Sequence, residues 1–157
     1  MKRQSFLNNA ATMTRMQTKA LIRSPSVINK IILHCSANSN PNYTASDIRH
    51  DHMVNRGFSD IGYHFFIRTN GTVEIGRPIT VEGAHCQGHN WDSIGICLNG
   101  LKIEDFTPIQ FESLRRLLLQ LHLSVPNSMI YSHHYFNNQK SCPVYDVNMF
   151  QKYWANL

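Results

Sequence analysis

The chain predicts a single α/β domain, and three observations carry that reading. Two short apolar runs rich in isoleucine, INKIILHC and SIGICL, have the length and composition of buried strands. One long segment, FTPIQFESLRRLLLQLHL, repeats apolar residues at helical spacing behind a cap. At 157 residues and 42% hydrophobic composition, the chain is long enough for one buried core and short for two ordinary domains.

From Val27 onward the elements alternate. INKIILHC ends at His34 and Cys35 before the loop SANSNPNY, which places His34 at a sheet rim. Thr44, followed by an acidic residue at Asp47, reads as an N-cap opening a helix over residues 44–56 that Gly57 terminates. IGYHFFIR, the pair Asn70-Gly71 and TVEIGRP read as a hairpin with a tight two-residue connection. Tyr63 and His64 then point to opposite faces. In the long helix Thr107 caps, Pro108 takes the first position and Gln110 completes a capping box. Its core side is Phe111, Leu114, Leu117, Leu118 and Leu121. NSMIYS is the last strand and delivers His133 at its end, after which Asp146 caps a terminal helix running through Trp154.

Composition narrows the function classes. No stretch approaches the roughly 18 apolar residues of a membrane span. The N-terminal segment starts with positive charge, but Gln4 stands where a twin-arginine signal needs arginine, and Arg15 and Lys19 interrupt any apolar region. No cleavable signal is therefore expected, and the protein is read as cytoplasmic until it is released. Residues 1–27 read as a polar, partly helical or disordered extension, and residues 28–157 as the folded domain. Lys and Arg number 15 against 10 Asp and Glu, and the net charge of +5 favours an anionic partner such as nucleic acid, a membrane surface or a wall polymer. Apart from an N-terminal cluster (Lys2, Arg3, Arg15, Lys19, Arg23) the basic residues are scattered. Without a recognition helix or zinc-finger spacing, stable nucleic-acid binding is not expected. The four cysteines read as free thiols, Cys35 and Cys97 as small hydrophobes within strands.

His34, His133 and Cys142 carry the chemistry. Imidazole and thiolate donors suit zinc, and three protein ligands leave a fourth position open, which is the layout of a catalytic zinc. Tyr63 and Lys140 are candidate electrophilic helpers. Each of the five has an ordinary structural role when taken alone, and it is the set that points to a metal. His85 and Asn90, in GAHCQGHNWDS, are candidate substrate contacts. His64 reads as a core histidine or one that supports a ligand, and His50, His52 and His122 as helix-surface or helix-packing residues.

The blocks IILHCSA, DIGYHFFIRTNGTVEIGRP, AHCQGHNWDSIGICLNG, FTPIQFESLRRLL and HHYFNNQKSCPVYDV, in this order, resemble the phage-type N-acetylmuramoyl-L-alanine amidases, which share their fold with animal peptidoglycan recognition proteins. The resemblance spans residues 29–153. It implies a central mixed β-sheet flanked by helices, with Zn2+ at the floor of an open cleft and His34, His133 and Cys142 as its ligands. Tyr63 and Lys140 then stabilise an oxyanion during cleavage of the bond between N-acetylmuramic acid and L-alanine in bacterial peptidoglycan. One departure bears on the site. The loop between histidine and cysteine is one residue longer than in the family, so counting back from Cys142 selects His134. His133 is preferred because placing the extra residue in NNQ keeps the strand phase. The resemblance further implies an endolysin that acts at the cell wall after release, and a monomer is expected. The alternatives are a non-catalytic peptidoglycan-binding module, an amidase that also binds and inhibits an RNA polymerase, and a zinc amidohydrolase with another N-acylated substrate. Recognition modules typically lack the cysteine, which is present here.

Overall fold

The computed structural model describes residues 22–157. Its centre is one mixed sheet of five strands: β1 (Lys30–Cys35), β2 (Phe65–Ile67), β3 (Val73–Ile75), β4 (Ser93–Leu98) and β5 (Met129–Ser132). The spatial order is β3-β2-β4-β1-β5. β1 lies parallel to both β4 and β5, β2 is parallel to β4, and only β3 runs antiparallel. Every residue of β4 is buried, as expected of a parallel strand covered on both faces. The continuous apolar runs in the sequence have this cause.

Alternation along the strands divides the two faces. Ile31 and Leu33 of β1, with Ile94, Ile96 and Leu98 of β4, face the larger core. Against them pack α2 (Pro108–Ser124), through Leu114, Leu117, Leu118 and Leu121, and α4 (Asn148–Ala155), through Phe150 and Trp154. A buried side chain of this kind contributes roughly 1.5–3 kcal/mol. The opposite face is covered by α1 (Ala45–His50) and a smaller apolar cluster of Ala45, Ile48, Ile61, Phe66 and Cys97. His34 and Gly95 lie on this second face, one residue out of phase with the apolar set. A short α3 (His133–Phe136) follows β5 directly.

The expected helix caps form. Thr44 Oγ1 accepts from Asp47 N–H (3.3 Å) and Asp47 Oδ2 accepts from Thr44 N–H (2.9 Å), while Thr107 and Gln110 make the same reciprocal box on α2. Four sequence expectations need correction. The helix expected over 44–56 is α-helical only to His50 and continues as a π-turn over Asp51–Asn55. The hairpin connection holds three residues: Arg68 N–H donates to Thr72 O (2.9 Å), leaving Thr69, Asn70 and Gly71 between the paired ends. Gly71, at φ +84°, occupies the left-handed position that such a loop requires. Asp146 stands one residue before the cap of α4, where its Oδ1 accepts from Asn148 N–H (2.9 Å). Phe111 is only partly buried, whereas Gln110 is fully buried with its Nε2 donating to Ile67 O and Asn99 O.

Of the extension drawn over residues 1–27, residues 1–21 lie outside the described residues, and residues 22–27 pack on the fold. Ile22 bridges Val81, and a single helical turn covers Pro25–Val27. Arg23 is 2% exposed and donates to Ile79 O, Asn90 O, Trp91 O and Ser93 O. One guanidinium thus joins the loop after β3 to the entry of β4. Among the described residues, no helix is long and apolar enough to cross a membrane.

Replacing Arg23 with methionine keeps much of the stem volume and strips these carbonyls of their donor. At about 1–3 kcal/mol for each buried group left unpaired, with partial relaxation, Arg23→Met should lower the unfolding free energy by roughly 3 kcal/mol in urea denaturation. A loss below about 1 kcal/mol would show that the clamp is dispensable.

Candidate metal centre

Parallel pairing brings the carboxyl ends of β1 and β5 side by side, and the site begins there. Leu33 pairs with Ser132 across β1 and β5, so His34 and His133 emerge next to each other. Ser132 Oγ caps α3 by accepting from Tyr135 N–H (3.1 Å), which sets His133 as its first residue. The His133 and His34 rings have centroids 4.6 Å apart. Cys142 returns from the loop after α3. That loop is closed by His134, whose N–H donates to Cys142 O (2.9 Å) and whose Nδ1 bonds Lys140 O (2.6 Å). His134 is therefore engaged in the loop, and it is His133 that joins His34 and Cys142 with all three donor atoms within 4.8 Å of one another.

The donor set suits a metal ion. Cys142 Sγ lies 3.8 Å from His34 Nδ1, against about 3.6 Å for nitrogen and sulfur on one tetrahedral zinc with ordinary bond lengths. Burial, and then the neighbouring His133, holds His34 well below the usual imidazole range, and burial followed by Lys140 lowers His133. Both stay neutral, the form that binds metal. Cys35 N–H donates to Cys142 Sγ (3.1 Å), a contact that favours a thiolate. The neighbouring Cys35 thiol, and then burial, push the Cys142 thiol up, while Cys142 lowers Cys35 to about 7, so of the two it is Cys142 that holds its proton until a cation takes its place.

Around the cluster is a cleft of about 420 Å3. Tyr63, Lys140, His52 and Arg56 are on its walls. The Tyr63 ring lies 5.1 Å from that of His34. Burial raises the Tyr63 hydroxyl well above its ordinary range, helped by the Cys97 thiol, so it remains a proton donor. Lys140 is exposed at the cleft mouth.

The two candidate substrate contacts have internal partners. His85 reaches the cleft but is 8% exposed, with Nδ1 2.9 Å from His34 Nε2 and Nε2 3.2 Å from Ser93 Oγ. Asn90 caps its own loop, its Oδ1 accepting from the N–H groups of His85 (2.8 Å) and Cys86 (2.9 Å). His64 is fully buried away from the cluster, and its Nδ1 accepts from Gly95 N–H (3.0 Å). Its Nε2 lies between Val81 O at 2.9 Å and Arg23 Nη2 at 3.0 Å. Sequence reasoning missed Cys35 beside Cys142, and His52, whose Nδ1 accepts from Gly62 N–H (2.9 Å). It also missed the glycines that leave room for His85: a Cβ on Gly95 would stand 2.5 Å from His85 Cγ, and one on Gly83 would stand 2.6 Å from His85 Cδ2.

Comparison with known proteins decides the family. The family described as N-acetylmuramoyl-L-alanine amidase matches residues 24–145. The chain belongs to that family. This amidase is 39% identical to the endolysin of Enterobacteria phage T3 over 132 residues, covering 79% of this chain and 83% of that protein. It is similar in structure to the amidase LysC from Clostridium intestinale URNW, with a TM-score of 0.69 and 32% identity over 82% of this chain and 84% of the other. A recognition protein, bumblebee PGRP-SA, superposes with a TM-score of 0.70 at 26% identity, covering 78% of this chain and 79% of that one. The amidase therefore has a mixed-sheet architecture shared by hydrolases and recognition proteins, and peptidoglycan is its substrate.

The buried neutral histidines predict a pH response of the metal-free amidase. Burial lowers His64 from 6.5 to about 4 and moves His34 and His85 in the same direction. The unfolded chain then binds protons that the folded one refuses, so stability is full above pH 6.5 and is lost as pH falls toward 4. His64 alone should cost about 2 kcal/mol of unfolding free energy between pH 7 and pH 5, and an unchanged value would contradict its burial as a neutral ring. Gly95→Ala should lower Tm by several degrees, because the His85 ring has to move; retention of the wild-type Tm would show that the contact yields freely.

Proposed function

We propose that the amidase hydrolyses the amide between the lactyl group of N-acetylmuramic acid and L-alanine with a zinc ion held by His34, His133 and Cys142. The observation that carries this reading is the convergence of two neutral imidazoles and a thiol within 4.8 Å at the floor of the cleft. Bound there, zinc would supply Lewis acidity, polarising the scissile carbonyl and bringing the pKa of water toward neutrality.

The chain's own residues do the remaining work. His34, in the buried floor, and His133, on the first turn of α3, present their rings from two adjacent strand ends. Attack on an amide builds negative charge on the carbonyl oxygen, and donors already aimed at that position stabilise it. Tyr63, held protonated, and Lys140, at the mouth of the same cleft, are assigned as those donors. The cleft walls contain cationic Lys140 and Arg56, which suits a substrate whose stem peptide contains carboxylates. We assign residues 28–157 as the catalytic domain, with Arg23 clamping its edge. The relatives named endolysins support a lytic role at the cell wall.

Cys142→Ser exchanges a thiolate for a hard, weakly acidic hydroxyl and should abolish stoichiometric zinc binding and most turnover. Near-normal zinc content and rate in that variant would remove Cys142 from the site. Lys140→Ala should retain zinc but lower kcat by about 10²–10³-fold, the cost of one lost oxyanion donor. An unchanged kcat would remove Lys140 from the mechanism.

A further inference from the structure

His34 has two ring nitrogens and two different surroundings. Nδ1 faces Cys142 Sγ at 3.8 Å, and Nε2 faces His85 Nδ1 at 2.9 Å. The two rings are 1% and 8% exposed, so water has little access to replace either partner. We propose that His85 is the positioning residue of the metal centre: its Nδ1 accepts the Nε2 proton of His34 and so holds the His34 Nδ1 lone pair toward the ion. This inference rests on the zinc reading above.

Proton bookkeeping supports the assignment. A metal on Nδ1 requires His34 to carry its proton on Nε2, and His85 Nδ1 is the acceptor in place for that proton. A neutral His85 that accepts at Nδ1 carries its own proton on Nε2, where Ser93 Oγ receives it at 3.2 Å. Ser93 is in turn fixed at the start of β4, with its carbonyl accepting from Arg23 Nη2 (2.7 Å). The relay therefore runs from the metal-facing imidazole to a strand pinned by the buried guanidinium.

Packing leaves the His85 ring one place to stand. The faces of Gly83 and Gly95 approach it so closely that a Cβ on either would lie within 2.6 Å of a ring carbon. The His64 ring meets it edge-on with centroids 5.7 Å apart. A ring that contacted substrate through a polar atom would need a free nitrogen, whereas this one, though it reaches the cleft, has both nitrogens committed to neighbours. Orientation by a hydrogen-bonded neighbour of this kind is commonly worth 10–100-fold in metal affinity.

The test separates the hydrogen bond from the packing. His85→Phe keeps a buried ring and removes the acceptor; His85→Asn places an amide oxygen near the former Nδ1 position. Zinc affinity of the full chain is read by competition with a chromogenic chelator, with the Tm of the metal-free protein measured alongside. Zinc affinity should fall by roughly 10–100-fold in His85→Phe and stay within about threefold of wild type in His85→Asn. Unchanged affinity in His85→Phe, or equal losses in both variants, would overturn the proposal. A measurement on the unmodified zinc-loaded protein needs no variant to fold: imidazole nitrogen NMR should show His34 protonated at Nε2, and a proton on Nδ1 would overturn the proposal. Cobalt substitution separates metal binding itself from the role of His85. If the wild-type protein shows no thiolate-to-cobalt charge-transfer band, the metal reading itself fails, whereas a normal band with an unaffected His85→Phe variant refutes only the role of His85.

Discussion

The position of β1 between two parallel partners is the constraint on which the rest depends. Its register with β4 sets His34 beside Cys97, and its register with β5 sets Leu33 beside Ser132, so both histidines leave the sheet at one end. Because side chains alternate, a slip of one residue would turn His34 into the large apolar core and bring Leu33 to the cleft. The apolar contacts of Ile31 and Leu33 with α2 and α4 oppose that slip. A hydrophobic pattern thereby fixes the place of a polar, reactive side chain.

The face so exposed is expensive to bury. Arg23, His34, His64 and His85 occupy space that an ordinary sheet face gives to apolar side chains, and each requires partners for its polar atoms. The partners are present. Among the described residues, the buried side-chain nitrogens and oxygens without one are Arg68 Nε and His122 Nδ1, both outside this group. A network in which every member is satisfied is rigid, and rigidity is what a centre holding donors in a fixed arrangement needs. The same network explains why the glycines beside His85 are not interchangeable with alanine.

Much of this was legible in the sequence, and most of what was not depends on distant partners. β1 and β4 are continuous isoleucine-rich runs, and α2 has a cap, a box and a periodic apolar face, so local signals suffice for them. The convergence of His34, His133 and Cys142 followed from their places at element ends together with family resemblance. Arg23 looked like one more charge in a polar extension because its carbonyl partners are 56 to 70 residues away. His85 looked like a loop histidine open to substrate because its partner His34 is 51 residues away. The hairpin turn is one residue longer than the sequence predicts for a separate, local reason: Asn-Gly serves both two- and three-residue connections. Where the information is in the pairing of distant groups, a single sequence does not display it.

The central claim is metal-dependent cleavage of one bond, and digestion of purified peptidoglycan by the zinc-loaded protein tests it most directly. Mass analysis should find intact stem peptides bearing a free L-alanine amine. Their release should stop on chelation and return on addition of zinc. Release that ignores the chelator, or binding of peptidoglycan with no peptide released, would contradict the account.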